Sequence, residues 1–315
     1  MDLLLEVAIA VRSAVLPRLG RPEMRGTVGT AIGGDPTFGI DEVAEDATTA
    51  VLETVPDIAW YTEDRGLAER GRPDRILIID PIDGTRPAGA GLEAGMVSIA
   101  AAPFRRDATL GDVDDALIMS IKTGQLFRSK RGRGTRIVHR GSALDPSLSP
   151  QRTVVGSFWT YGFRGRPVAP SSIVLQELLD ATSANGAGFE LGSATFGMTG
   201  VVTGRFDAYV DHGQRLIDEI PETRPLFEEL ADGAVLNNNP YDVAAAKLIC
   251  EEAGCIVTDA FGRSLNDKPL IGSGADYCVS TVVTSTRELH AEIITSLDRG
   301  IERLRRSMNP LEEHA

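Results

Sequence analysis

The chain has 315 residues, of which 42% are hydrophobic and 24% charged, and a formal net charge of −13. This is the composition of an ordinary globular protein with room for one large or two medium domains. The surplus of acid argues against partners that demand a basic face, namely nucleic acid and anionic membrane. The basic stretch FRSKRGRGTRIVHR, Phe127 to Arg140, has no aromatic ladder and reads as a solvated hairpin.

In chain order, MDLLLEVAIAVRSAVLPRLG reads as an amphipathic helix ending near Pro17. Asp2, Glu6 and Arg12 break its apolar run, so it matches neither a secretion signal nor a membrane span. A second helix is predicted over Asp41 to Leu52. Strands are predicted at Ile58–Tyr61, Arg75–Ile79, Met96–Ala101, Asp115–Ile121 and Gln125–Arg128, with KTGQ as a tight turn. The polar segment His139–Gln151 marks a boundary, dividing the chain into halves 1–142 and 143–315. Beyond it, TVVGSFW reads as a strand, SSIVLQELLDATS as a helix and GSATFGMTGVVTG as a small-residue helix. FDAYVD is a strand, DVAAAKLICEEAG a helix closed by Gly254, and CIVTD a strand. Such alternation predicts α/β layers. The long connection between Asp211 and Asp242 is predicted to hold one short helix near Pro225–Leu230. Cys250, Cys255 and Cys278 are odd in number and lack metal-site spacing, which with the N-terminus suggests a cytoplasmic protein without a disulfide framework.

The chemistry concentrates in RILIIDPIDGT. An apolar strand runs into Asp80, and Asp83 follows three residues later. Two carboxylates held so close repel each other unless a cation lies between them, and hard oxygen donors suit Mg2+ or Mn2+. Pro81 stiffens the turn, Gly84 lets backbone approach a ligand, and Thr85 adds a hydroxyl and an N–H suited to phosphate oxygens. Glu63 in WYTEDRG also follows a short apolar strand. Asp242 in NPYDVAAAK stands where a helix begins, at an N-cap position. No GxxxxGK[ST], GxSxG or HExxH motif is present, and the four histidines are scattered.

DPIDGT, with Glu63 before it and YDVAAAKLICEEAG after it, resembles the inositol monophosphatase family of Mg2+-dependent, Li+-sensitive phosphomonoesterases, which includes archaeal-type fructose-1,6-bisphosphatases. GDPTFGIDEVAED and ELGSATFGMTGVVTGRFDAYVD are similar to two further family segments, in family order, over roughly Leu3 to Leu297. The resemblance implies a layered αβαβα sandwich, usually dimeric, with the site between its halves. It implies two or three Mg2+ ions, with Mn2+ as a substitute, on Glu63, Asp80, the Ile82 carbonyl, Asp83 and Asp242. Asp41, paired with the Thr85 hydroxyl, would position or deprotonate the attacking water, with Glu63 sharing in catalysis. Gly84 and Thr85 would offer N–H groups to phosphate, and Ser193 and Asp211 would lie on the leaving-group side. The implied substrate is a small phosphorylated polyol or sugar. Two alternatives are a phosphatase of 3′-phosphoadenosine nucleotides, for which no aromatic platform is visible, and a catalytically silent binding relative.

Three departures from the family pattern stand beside the substrate. Arg86-Pro87 replaces an NF-like pair and brings a cation that could meet phosphate. Tyr241 stands where a Trp is common, and the connection 212–241 is long.

Overall fold

The computed structural model describes residues 2–308. Helix α1 (Leu3–Val15) starts where the Asp2 carboxylate accepts a hydrogen bond from the Leu4 N–H at 3.1 Å, and it ends in a 3-10 turn containing Pro17. A small hairpin, β1 (Thr27–Thr30) with β2 (Pro36–Phe38), leads into α2 (Gly39–Leu52). Next come β3 (Ile58–Thr62), β4 (Gly66–Arg70), β5 (Arg75–Asp83) and the short α3 (Thr85–Gly89). The meander β6 (Met96–Pro103), β7 (Asp115–Ser120), β8 (Leu126–Lys130), β9 (Thr135–His139) and β10 (Ser142–Leu144) completes the first half.

These strands form an eight-stranded sheet in the order β10-β9-β8-β7-β6-β5-β3-β4. All neighbours are antiparallel except β3 and β5. The period of two along each strand sorts its apolar residues between two faces. Leu77, Ile79, Val97, Ile99, Leu117 and Met119 pack against α1 and α2, which bury Val7, Val11, Ile40 and Ala44. Ile76, Ile78, Ala100, Ala102 and Ile118 face the opposite way.

The second half begins with β11 (Phe158–Tyr161), α4 (Val168–Thr182), β12 (Ala187–Glu190), α5 (Ala194–Val202) and β13 (Ala208–Asp211). It continues through α6 (Gly213–Glu219), α7 (Arg224–Leu230), α8 (Pro240–Glu252), β14 (Ile256–Thr258), β15 (Thr281–Thr284) and α9 (Arg287–Met308). Its five-stranded sheet has the order β12-β11-β13-β15-β14. Helices α5 and α8 lie between the two sheets, sharing one core with Ile76 and Ile118 on one side and Tyr209 and Val283 on the other. Helix α8 must be apolar all round to do this, and Val243 to Cys250 are buried without a break. Helices α4 and α9 cover the outer face of the small sheet, with Leu175, Leu178, Leu289, Ile293 and Leu297 over Trp159, Val210 and Val282. A Cβ on Gly300 would lie 2.2 Å from the Val174 carbonyl oxygen, so glycine sets how closely these two helices approach. The result is an αβαβα sandwich.

The structure shifts several sequence expectations. The strand expected over TVVGSFW begins only at Phe158, because Val154 and Ser157 are tied into a turn by the Ser157 N–H on the Val154 carbonyl. The segment 212–241 holds two helices, not one. β10 pairs with β9 and so carries the first sheet past residue 142, to Leu144. Asp242 is not the N-cap of α8. Asn239 is, and Asp242 lies inside the first turn, reaching back to accept the Asn239 N–H at 2.6 Å. The β1–β2 hairpin, β4, β12 and the 22-residue α9 were not anticipated. The basic stretch from Phe127 does form a hairpin, whose turn is held by Glu252 accepting the N–H groups of Gly132 and Gly134. The three cysteines are buried and unpaired, and among the described residues no helix is long and apolar enough to cross a membrane.

Candidate active site

The acids of DPID reach one place because β5 is irregular. Asp80 is opposite Ser98 and Asp83 opposite Met96, three steps along β5 against two along β6. In a regular strand residues three apart face opposite ways; the one-residue bulge turns Asp83 back to the side of Asp80. The Asp80 carboxylate accepts the Ile82 N–H at 2.9 Å, bracing the bulge. Gly84 follows at φ 89°, where a Cβ would meet the Ala94 carbonyl oxygen at 2.3 Å, so glycine alone fits the turn.

Three other elements converge here. β3 runs parallel to β5 with Thr62 opposite Ile79, so Glu63 arrives beside Asp80. The first turn of α8 delivers Asp242, and carboxylate oxygens of Asp80, Asp83 and Asp242 lie within 4.8 Å of one another. The first turn of α2 delivers Asp41. It accepts the Phe38 N–H at 2.8 Å with one oxygen and the Thr85 hydroxyl at 2.8 Å with the other. The Ile82 carbonyl lies 3.1 Å from that same hydroxyl.

The cleft so formed has a free volume of about 20 Å³ and is lined by Asp35, Asp41, Glu63, Asp64, Asp80, Asp83 and Asp242, with Ile82, Gly84, Thr85, Arg86 and Arg164. Burial raises the pKa of Glu63, Asp80 and Asp242 well above the ordinary carboxylate range, and repulsion from neighbouring acids adds to the rise. Asp83 is also raised by burial, against the pull of donors on Thr195 and Ser193. Burial lifts Asp41 to about 7 despite its two hydrogen bonds, and Glu45, one turn further along α2, likewise to about 7. Carboxylates buried together this way hold either protons or cations. All-oxygen donors packed into a space for ions and water fit a hard divalent metal.

The predicted metal and catalytic residues Asp41, Glu63, Asp80, Ile82, Asp83, Thr85 and Asp242 all line this cleft, as do Gly84 and Arg86. Ser193 stands behind it. Its hydroxyl donates to Asp83 Oδ2 at 2.8 Å and accepts the Phe196 N–H at 3.1 Å, capping α5. Asp211 does not reach the cleft. It is fully buried, ion-paired with Arg166 and accepting the Gly213 N–H at 2.9 Å, and Arg166 is what lines the polar recess next to Ser193.

Sequence reasoning did not single out Asp35, Asp64 or Arg164. Asp35 sits at the tip of the β1–β2 hairpin and pairs with Arg164 from the loop before α4. Burial alone would lower the Arg164 pKa, but Asp35, Glu63 and Asp242 raise it overall. Asp35 lay within the GDPTFGID segment already noted. Nothing in the spacing of FRGR marks Arg164, since it meets Asp35 across 129 residues.

A layered sandwich with an acidic cleft between its halves is the architecture of a phosphatase class. The chain belongs to the inositol monophosphatase family, whose profile matches residues 3–302, and it is a phosphoric monoester hydrolase. It is 28% identical to the fructose-1,6-bisphosphatase/inositol-1-monophosphatase of Methanothermobacter thermautotrophicus, over 93% of this chain and 94% of that one. It is 22% identical to the bifunctional NADP phosphatase/NAD kinase of Methanococcus maripaludis, over 93% of this chain but only 48% of that protein. The solved structure of an IMPase from Thermotoga maritima has the same fold, with a TM-score of 0.65 at 20% identity, covering 93% of this chain and 94% of that one.

Proposed function

We propose that the chain hydrolyses a small phosphorylated polyol or sugar, of the inositol monophosphate or fructose 1,6-bisphosphate kind, with Mg2+ as its metal. The observation that carries this is the convergence of Asp80, Asp83 and Asp242, buried and within 4.8 Å of one another. Glu63 and the Ile82 carbonyl complete the ligand set, and Asp35 and Asp64 extend its acidic wall. The name of the Methanothermobacter relative supports the substrate class.

A phosphate monoester is already anionic and repels an attacking oxygen. Divalent cations, when bound, neutralise the ester and lower the pKa of water from about 15.7 towards ~7. The protein's own groups do the rest. Asp41 accepts the Thr85 hydroxyl proton, which orients the threonine oxygen to take a proton in turn from water. Burial lifts Asp41 to about 7 in the metal-free protein, and bound cations would hold it lower, as the carboxylate that receives that proton. The N–H groups of Gly84 and Thr85 hold phosphate oxygens in line, a place that the positive φ of Gly84 opens. We propose in addition that the enzyme is a homodimer and cytoplasmic; sedimentation of the purified protein checks the dimer, and fractionation of cells the location.

Phosphate release from inositol monophosphate, fructose 1,6-bisphosphate and glycerol phosphate, with Mg2+ and with EDTA, tests the proposal. Turnover that vanishes with EDTA supports it. Absence of release from every ester, with Mg2+ or Mn2+ present, overturns it.

A further inference from the structure

Every acid of the cleft but one has a hydrogen-bond donor of its own. Asp41 takes the Phe38 N–H and the Thr85 hydroxyl, Asp80 the Ile82 N–H, Asp83 the Ser193 hydroxyl and Asp242 the Asn239 N–H. Asp35 is held by Arg164, and Asp64 by the Thr37 hydroxyl. The Glu63 carboxylate has no donor and no ion pair among the described residues. Its place is set by the backbone that carries it.

Glu63, Asp64 and Arg65 form the loop between β3 and β4, closed by Gly66 at φ 70° opposite Thr62. Strand pairing fixes the ends of such a loop but not its middle. Here the middle is tied to α2. Glu45, 1% exposed, accepts the Asp64 N–H at 3.3 Å with Oε1, and its Oε2 lies 3.8 Å from Arg65 Nε. Arg65 also donates to the Thr49 hydroxyl at 2.8 Å and to the Asp46 carboxylate, both on the same helix. Glu45 Oε2 is closed to solvent and makes no hydrogen bond. Burying it there carries a cost that an apolar side chain would avoid. Glu45 stands about one turn after Asp41, so the helix that supplies the water-orienting acid also anchors the Glu63 loop.

We propose that Glu45 is a positioning residue for metal binding: together with Arg65 it pins the 63–65 loop to α2, so that Glu63, which has no donor of its own, is presented to the cleft. This rests on the phosphatase reading above and adds to it a residue that acts only through the loop it holds. Without the anchor Glu63 still belongs to the cleft, but its loop must be ordered each time a cation is bound. That ordering costs conformational entropy, and the cost falls on metal affinity.

The test is the affinity of the full chain for Mn2+, read without substrate from the electron paramagnetic resonance of the free ion. Glu45→Ala should raise the Kd by about 10- to 100-fold, the usual effect of losing a group that supports a metal ligand. Glu45→Gln makes the same change of charge but keeps an oxygen for the Asp64 N–H, so it should lose clearly less. Arg65→Ala, at a side chain 41% exposed and so safe for folding, gives a test by sign. Removing a cation beside the acids should tighten Mn2+ binding by charge alone, whereas removing the anchor should weaken it. If Glu45→Ala does not fold, Arg65→Ala decides. Three results would overturn the proposal and leave the phosphatase reading intact: equal losses in the two Glu45 variants, tighter binding by Arg65→Ala, or lowered melting in EDTA with the Kd unchanged. A wild-type protein that binds no Mn2+ would overturn both.

Discussion

The hydroxyl of Thr85 donates to Asp41 Oδ1 at 2.8 Å, joining the turn after β5 to the first turn of α2 across 44 residues of sequence. The same carboxylate is held from the other side by the Phe38 N–H, so the pair has one geometry. Thr85→Val and Asp41→Asn should each lower kcat by about 10²- to 10⁴-fold, the usual contribution of a positioned acid–base group. Circular dichroism should show the fold unchanged. Full activity in either variant would remove the pair from the mechanism.

Asp80 and Asp83 should differ when neutralised. Asp80→Asn replaces a carboxyl that the metal-free protein can bury only by taking up a proton, yet keeps the oxygen that accepts the Ile82 N–H. In EDTA this variant should melt above the wild type, while activity falls more than about 100-fold, since even outer-shell changes at metal sites cost 10–100-fold. Asp83→Ala strips the partner from Ser193 and from both Thr195 donors at the start of α5. It should melt lower, by about 0.5–2 kcal/mol if it acts as a lost cap. Calorimetry of both variants decides the point, and matching shifts would contradict it.

Stability should depend on pH with an unusual sign when chelator is present. Glu63, Asp80, Asp83 and Asp242 are raised in the folded protein, and Asp41 and Glu45 are raised to about 7. A carboxyl whose folded pKa exceeds its unfolded value of about 4 favours folding while protonated, and loses that stabilisation as pH climbs through the folded pKa. The chelated protein should therefore lose stability between pH 5 and 8 relative to the Mg2+-loaded protein. Melting curves at both pH values, with and without Mg2+, measure the gap. A gap that fails to widen at pH 8 would contradict it.

The Arg166–Asp211 pair is nearly closed to solvent, at 3% and 0% side-chain exposure. Asp211→Ala leaves a buried guanidinium uncompensated and should cost about 3–5 kcal/mol of stability. If Asp211 acts through its hold on Arg166, substrate KM should rise as well, and Asp211→Asn should recover part of both. A fall in kcat without loss of stability would instead point to direct contact with the reacting groups.

Much of the cleft was legible in the chain because its acids stand at element ends with strong local signals. Asp80 and Asp83 follow an apolar run, and Asp242 opens an unbroken buried helix. The bulge that brings Asp80 and Asp83 together was not legible, since its signal is the register of β6, a neighbour not yet paired in sequence. Arg164 and Asp35 escaped for a related reason. Each sits in a loop, and their meeting is decided by how the β1–β2 hairpin and the segment before α4 fold onto the cleft. Helix α9 was missed despite its length because its polar face dominates the local composition. Its buried stripe of Leu289, Ile293, Leu297, Ile301 and Leu304 does follow helical spacing in the sequence, and it packs on the small sheet.

Helix α8 carries Asp242 at its start and fills the middle layer along the rest of its length. The large sheet supplies Asp80 and Asp83 but lies in the other half of the chain. A fragment ending near Leu144 would thus hold Asp80 and Asp83 without Asp242 and leave one face of its sheet bare. The complementary fragment would hold Asp242 on a helix packed only against α5 and the small sheet, its other side bare. The acids of one cleft are drawn from both halves of the chain, and the layer between the two sheets is what brings them together.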